Sequence, residues 1–175
     1  MNKKTTLIVG VSFFLGAMVI GGSPSAIKIN YKGHGYEYVT KPKLWKDAKK
    51  DAEERNGYLV CITTADENEF VVQLINNATD KEVPRTWIGL NDDKVEGDWK
   101  WISGELTSFT NWFHGEPNNS GSGENKVIYE KRDNEIKWND VSGDGRYYYV
   151  IEYNFEIDTD TNAAGMSKTN LRSTR

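Results

Sequence analysis

The chain has 175 residues and a formal net charge of −4, a length that suits one domain with a sizeable core at about 100–200 residues per domain. Lysines and arginines are interspersed with acids, as in Lys46-Asp47 and Lys131-Arg132-Asp133, and read as a solvated surface. The clustered basic patch that nucleic acid or an anionic membrane demands is therefore missing.

The N-terminus has the pattern of an export signal over residues 1–26. Lys3 and Lys4 precede an apolar run from Leu7 to Ile20, followed by Gly21-Gly22-Ser23-Pro24-Ser25-Ala26. That run is short for a span, which needs about 20 apolar residues. The expectation is a secreted or extracellular protein (periplasmic in a bacterium) with no membrane insertion after cleavage. The alternative is an uncleaved N-terminal segment that anchors the chain. Cleavage after Ala26 removes two lysines and no acid, taking the charge from −4 to −6. The expected domain is 27–155, and 156–175, poor in large apolar residues, reads as a flexible tail. Within it, Asp158-Thr159-Asp160-Thr161-Asn162 lacks the glycine and closing glutamate of a helix-loop-helix calcium loop.

In chain order, Ile27 to Tyr31 and Tyr36 to Val39 alternate with period two across Gly33-His34-Gly35, a hairpin signal with His34 in the turn. Leu44, Trp45, Ala48 and Ala52 recur at helical spacing, with Gly57 as the stop. Tyr58 to Ile62 reads as a strand, with Cys61 as a buried small hydrophobe. As the sole cysteine, it cannot form an intramolecular disulfide, so a domain of about 125 residues must rely on apolar burial. Thr64 and Glu67 have capping-box spacing ahead of a second helix carrying Phe70, Val71, Leu74 and Ile75. From Trp87 to about Asn125 short apolar runs are broken by turns at Glu96-Gly97 and Ser103-Gly104. The density of Trp99, Trp101, Phe109, Trp112 and Phe113 there argues for a packed, functional loop region. Val127 to Tyr129, Ile136 to Trp138 and Tyr147 to Tyr153 are short strands.

Glu116-Pro117-Asn118, then Glu124, then Asn139-Asp140 supply carboxylate and amide oxygens with no thiol or imidazole among them. Such a donor set suits a hard cation of the calcium type. Together with Trp87-Ile88-Gly89-Leu90, Glu96-Gly97 and Trp99-Lys100-Trp101, these residues stand in the order and spacing of the C-type lectin domain. From Tyr31 to Tyr153 the chain resembles that family. Each triplet alone is weak; jointly and in register they are specific.

The resemblance implies an α+β C-type lectin-like fold, with two helices, small antiparallel sheets and a long calcium-binding loop region. It implies a principal Ca2+ site at Glu116, Asn118, Glu124, Asn139 and Asp140, with Pro117 in the cis form. Three carboxylates slightly over-neutralise a divalent ion, and shell positions remain open for two vicinal hydroxyls of a sugar. Glu-Pro-Asn resembles the mannose-type arrangement for mannose, glucose, N-acetylglucosamine or fucose-like glycans, whereas Gln-Pro-Asp goes with galactose. A second, structural calcium site of some relatives would fall on Asp92, Glu96, Asn119, Glu124 and Asn125. Asparagine at 119 and 125, where those relatives are acidic, weakens it. The partner implied is a glycan or glycoconjugate on a cell surface.

The family's usual cysteine positions hold Ala52, Lys126, a residue between Gly143 and Arg146, and Ile151, so this is a disulfide-free variant. Trp87, Trp99, Trp101 and Trp138 are expected to pack, and His114 to lie half-exposed on the loop. A competing function is a lectin-like adhesin or receptor-binding module that recognises protein without sugar. Hydrolysis by Glu116 and Glu124 is set aside, because carboxylates holding a divalent ion stay ionised while a general acid needs a raised pKa. No coiled-coil heptads indicate an oligomeric state.

Overall fold

The computed structural model describes residues 28–79, 83–121 and 123–154. The export segment, the C-terminal tail and its rejected calcium loop lie outside the described residues. No described helix is long and apolar enough to cross a membrane.

Strand β1 (Ile29–Tyr31) and β2 (His34–Lys43) form the expected hairpin, but its turn is one step earlier. Lys32 and Gly33 both have positive φ, 48° and 89°, and Tyr31 pairs directly with His34. Two left-handed central residues are what a two-residue hairpin loop needs to match strand twist, so His34 belongs to the strand.

Helix α1 (Trp45–Glu54) buries Trp45, Ala48 and Ala52 at helical spacing. Asn56, with φ 59°, takes the left-handed position at its end, while Gly57 N–H bonds Ala52 O at 2.8 Å. Gly57 is needed for a different reason: a Cβ there would stand 2.6 Å from Ile151 Cγ2 and 2.7 Å from Glu152 O. The expected strand at Tyr58 to Ile62 pairs only through β3 (Tyr58–Leu59), although Val60 N–H still reaches Val150 O at 3.0 Å. Cys61 is buried, and burial pushes its thiol up to about 12. Helix α2 (Ala65–Ala78) is capped by Thr64 Oγ1, which accepts from Glu67 N at 3.2 Å. The other half of the capping box is absent. Glu67 instead accepts from Thr63 N (2.8 Å), Thr63 Oγ1 (3.1 Å) and Tyr36 OH (2.7 Å).

The remaining strands are β4 (Thr86–Asn91), β5 (Lys100–Trp101), β6 (Lys126–Arg132), β7 (Glu135–Val141) and β8 (Tyr147–Asn154). Among the described residues the eight strands join one sheet rather than several small ones, in the order β1-β2-β8-β4-β6-β7, with β3 on β8 and β5 on β4. Its one parallel junction is β4 with β8; the other pairs are antiparallel.

The core has two clusters. One packs α2 and Val60 to Ile62 against Tyr36, Trp101, Tyr129 and Trp138. The other packs α1 against Trp87, Ile128, Tyr149 and Ile151, and holds Ala52 and Ile151 of the expected cysteine positions together. Trp87, Trp101 and Trp138 are buried and Trp99 packs partly buried against the core, so these tryptophans pack as expected.

Trp138 fixes the long connection from β5 to β6. Its backbone accepts from Phe113 N (3.0 Å) and donates to Asn111 O (2.8 Å). Its ring takes Trp101, Phe109 and Trp112 edge-on at 5.6–5.7 Å. The loop is thereby bound to β7 immediately before Asn139 and Asp140.

Glu152 of β8 is buried, with Oε2 accepting from Cys61 N at 3.0 Å and Oε1 2.7 Å from His34 Nδ1. Burial, then the charge of Glu67, raises its carboxyl to about 7, against the downward pull of Cys61 N–H, Tyr58 and His34. In the unfolded chain this group ionises in the ordinary glutamate range, so between that range and about pH 7 the folded state holds the extra proton. Glu152 therefore costs stability as pH rises through this window. The prediction is that Glu152→Gln raises the calorimetric Tm by several degrees at pH 8 and by much less at pH 5. An equal gain at both would contradict the assigned titration.

Candidate functional site

Strand alternation sends Asn139 and Asp140 to opposite faces of β7. Asp140 is fully buried and acts as the dock for the proline loop. Its carboxylate accepts from Asn118 N at 3.1 Å on both oxygens, and from Asn119 N at 2.8 Å. The Glu116–Pro117 peptide is cis, as expected, and Gly115 and Asn119 take positive φ on either side, 88° and 45°. Further on the loop closes on itself: Ser120 N donates to Glu124 Oε2 at 2.7 Å, and Glu124 N donates to Asn119 Oδ1 at 2.8 Å.

Glu116 stands behind this loop with its side chain only 5% exposed. Oε1 accepts from Arg132 Nη2 at 3.0 Å, whereas Oε2 is buried with no hydrogen-bond partner among the described residues. An ionised carboxylate only accepts, and an unmet buried acceptor is costly. Burial, followed by the charges of Asp140 and Glu116, raises the Glu124 carboxyl above the ordinary range against the pull of Ser120 N–H. Like charges have been drawn together, which is the condition a bound cation relieves.

The donor set fits a hard divalent ion: oxygens only, three of them carboxylates, one carrying the orphaned acceptor. Among the described residues, however, no three His, Cys, Asp or Glu side chains stand close enough to hold a metal as they are. Closure would require Asp140 to share oxygens now given to backbone amides, and the exposed Asn118 and partly exposed Glu124 to swing inward.

The second group is also assembled, but with its acceptors supplied. Asp92, buried, receives Asn125 Nδ2 on Oδ1 at 3.0 Å and Gly97 N on Oδ2 at 2.8 Å. Asn125 thus meets Asp92 as a donor, not as a fellow oxygen ligand. Glu96 is exposed, and its carboxyl is raised first by partial desolvation and then by the Asp92 charge. Its partner Asn119 has Oδ1 engaged by Glu124 N.

The layer beneath the principal group was not anticipated. Arg132 is exposed, as expected of a surface residue, but it also donates from Nε to Glu130 Oε2 at 2.9 Å and lies 4.3 Å over the Phe113 ring. Glu130 Oε2 also receives Asn139 Nδ2 at 3.3 Å, and Oε1 receives Arg85 Nε at 2.8 Å. The available signal was alternation: had the strand at Val127 to Tyr129 been carried three residues further, Glu130 and Arg132 would have shared one face. His114 is exposed on the loop.

Comparison with known proteins gives the class. The Lectin C-type domain family profile matches residues 41–152, and the chain belongs to that family, which is carbohydrate-binding rather than enzymatic. A perlucin-like protein of the mussel Mytilus galloprovincialis is 31% identical over 151 residues, covering 79% of this chain and 92% of that protein. Human lithostathine superposes with a TM-score of 0.68 at 28% identity, covering 77% of this chain and 92% of that one. The cow carbohydrate-recognition domain of CD23, solved in the presence of a GlcNAc2Man3 oligosaccharide, gives 0.66 at 28% identity, with 78% and 99% covered.

Because hydrogen bonds to a charged group contribute about 1.5–3 kcal/mol each, Asp140→Ala should loosen the loop even without metal. In chelator, hydrogen exchange at Asn118 and Asn119 should accelerate about tenfold or more, while Phe113 and Trp138 keep their protection. Unaltered exchange at 118 and 119 would show that the dock lies elsewhere.

Proposed function

We propose that this chain is an exported, calcium-dependent glycan-binding domain, with residues 1–26 as its export signal. Its principal ion is held by Glu116, Asn118, Glu124, Asn139 and Asp140, and its ligands are of the mannose, glucose or fucose type. The observation that carries this reading is Glu116 Oε2, a buried carboxylate oxygen left without a donor among the described residues, near a Glu124 carboxyl raised by burial and then by the charges of Asp140 and Glu116. Membership in a carbohydrate-binding family and the intact Glu-Pro-Asn sequence support the sugar class.

Bound calcium would supply the open coordination positions that take two vicinal hydroxyls. Glu116 and Glu124 then accept hydrogen bonds from those hydroxyls, and the amide nitrogens of Asn118 and Asn139 donate to them, which fixes orientation through charge-assisted contacts. The exposed loop leaves a small contact surface, so single-site affinity is weak and useful retention depends on clustered glycans.

A second reading, recognition of a protein surface without calcium, draws on Asp140, whose oxygens are already given to Asn118 and Asn119. Chromatography on mannose-agarose separates the two. The calcium reading expects retention in millimolar calcium, release by chelator, and loss of retention in Glu116→Gln. Passage through the column under both conditions, with no heat of calcium binding, would leave protein recognition as the function.

A further inference from the structure

We propose that Glu130 and Arg132 are positioning residues for the principal site, holding Asn139 and Glu116 in the arrangement that accepts a cation. The inference rests on the calcium reading above and goes beyond it, because neither residue is among the five expected ligands and neither touches the ion.

The geometry assigns each a distinct task. Glu130 is buried and its carboxylate can only accept, so the part of the Asn139 amide facing it at 3.3 Å must be the NH2 group. The carbonyl oxygen of Asn139, the atom a hard cation takes, is thereby turned away from Glu130. Arg132 binds Glu130 Oε2 through Nε and Nη2, both at 2.9 Å, and extends Nη2 to Glu116 Oε1 at 3.0 Å. One oxygen of Glu116 is thus tied down and the other is left without a donor in a buried position. Phe113 holds the guanidinium plane from beneath at 4.3 Å, and Arg85 on Glu130 Oε1, at 2.8 Å from Nε, keeps the local charge balanced. Two ligands that lie 23 positions apart in sequence are therefore oriented by one ion-paired unit at the end of β6.

Residues that orient metal ligands without touching the metal typically alter affinity by about 10–100-fold when changed. The test is titration calorimetry of the full chain with calcium, for wild type, Arg132→Met, Arg132→Lys and Glu130→Gln. Glu130→Gln loses the ionised acceptor in either amide orientation, and in one of them it faces an NH2 to the donors of Asn139 and Arg132. The expected result is roughly a tenfold or greater weakening in Arg132→Met and Glu130→Gln, with partial recovery in Arg132→Lys. In chelator Arg132→Met should stay folded but with a lowered Tm, because it removes a donor from Glu116 and Glu130, and side-chain amide resonances of Asn139 should shift in Glu130→Gln before calcium is added. Calcium affinities equal to wild type would overturn the inference while leaving the calcium reading intact. Tighter binding in Arg132→Met would also overturn it, by making Arg132 a competitor for Glu116. A wild-type chain that binds no calcium removes both.

Discussion

Everything at the site depends on how an irregular connection of more than twenty residues is held to one strand. A loop has no ladder of its own, so its buried backbone groups need outside partners. Trp138 meets that need with its backbone, pairing with Asn111 and Phe113, and with a ring that three aromatic side chains pack against edge-on. Two residues later Asp140 accepts from Asn118 and Asn119. The Trp-Asn-Asp triplet thus anchors the loop through both of its ends. Loss of the Trp138 dock would scatter the five proposed ligand positions without altering any of them.

The same fold stays together without a disulfide. Ala52 and Ile151 both lie buried in the second core cluster. Much of the polar burial is arranged around acids. Glu37 is met by Arg55 and by Tyr153 OH at 2.7 Å, Glu67 by Tyr36 and Thr63, and Glu130 by two arginines. Pairing of this kind avoids the penalty of an isolated buried charge rather than adding much net stability. Glu152 is the exception, with burial outweighing its partners, which is why its stability cost depends on pH.

Periodicity made the helices legible: Ala48, Ala52, Leu74 and Ile75 are buried where spacing puts them. The five proposed ligand positions stood out because their residue types are chemically restrictive. What escaped was local choice among near-equivalent options. Asn56 and Gly57 both suit a helix end, and only the closeness of Ile151 shows why glycine sits second. Glu67 had the spacing of a capping box, but Tyr36, distant in sequence, offered a partner at 2.7 Å. Arg132 is exposed, as its neighbours Lys131 and Asp133 suggest; what composition did not show is that the strand's continuation turns it toward Glu116.

The two acidic groups at the loop differ in one physical respect that bears on the proposed function. Around Asp92, asparagine stands where an acid would add charge, and the amide of Asn125 donates a hydrogen bond to the carboxylate that an ion would otherwise neutralise. Each Asp92 oxygen has a donor, so little is gained by admitting a cation. Around Glu116 the balance is opposite: Arg132 satisfies one oxygen and nothing satisfies the other. Glu124 meanwhile feels both Glu116 and Asp140. Two chemically similar carboxylates, Asp92 and Glu116, are left with opposite needs, and an ion entering the loop would be drawn to the group with the unmet acceptor.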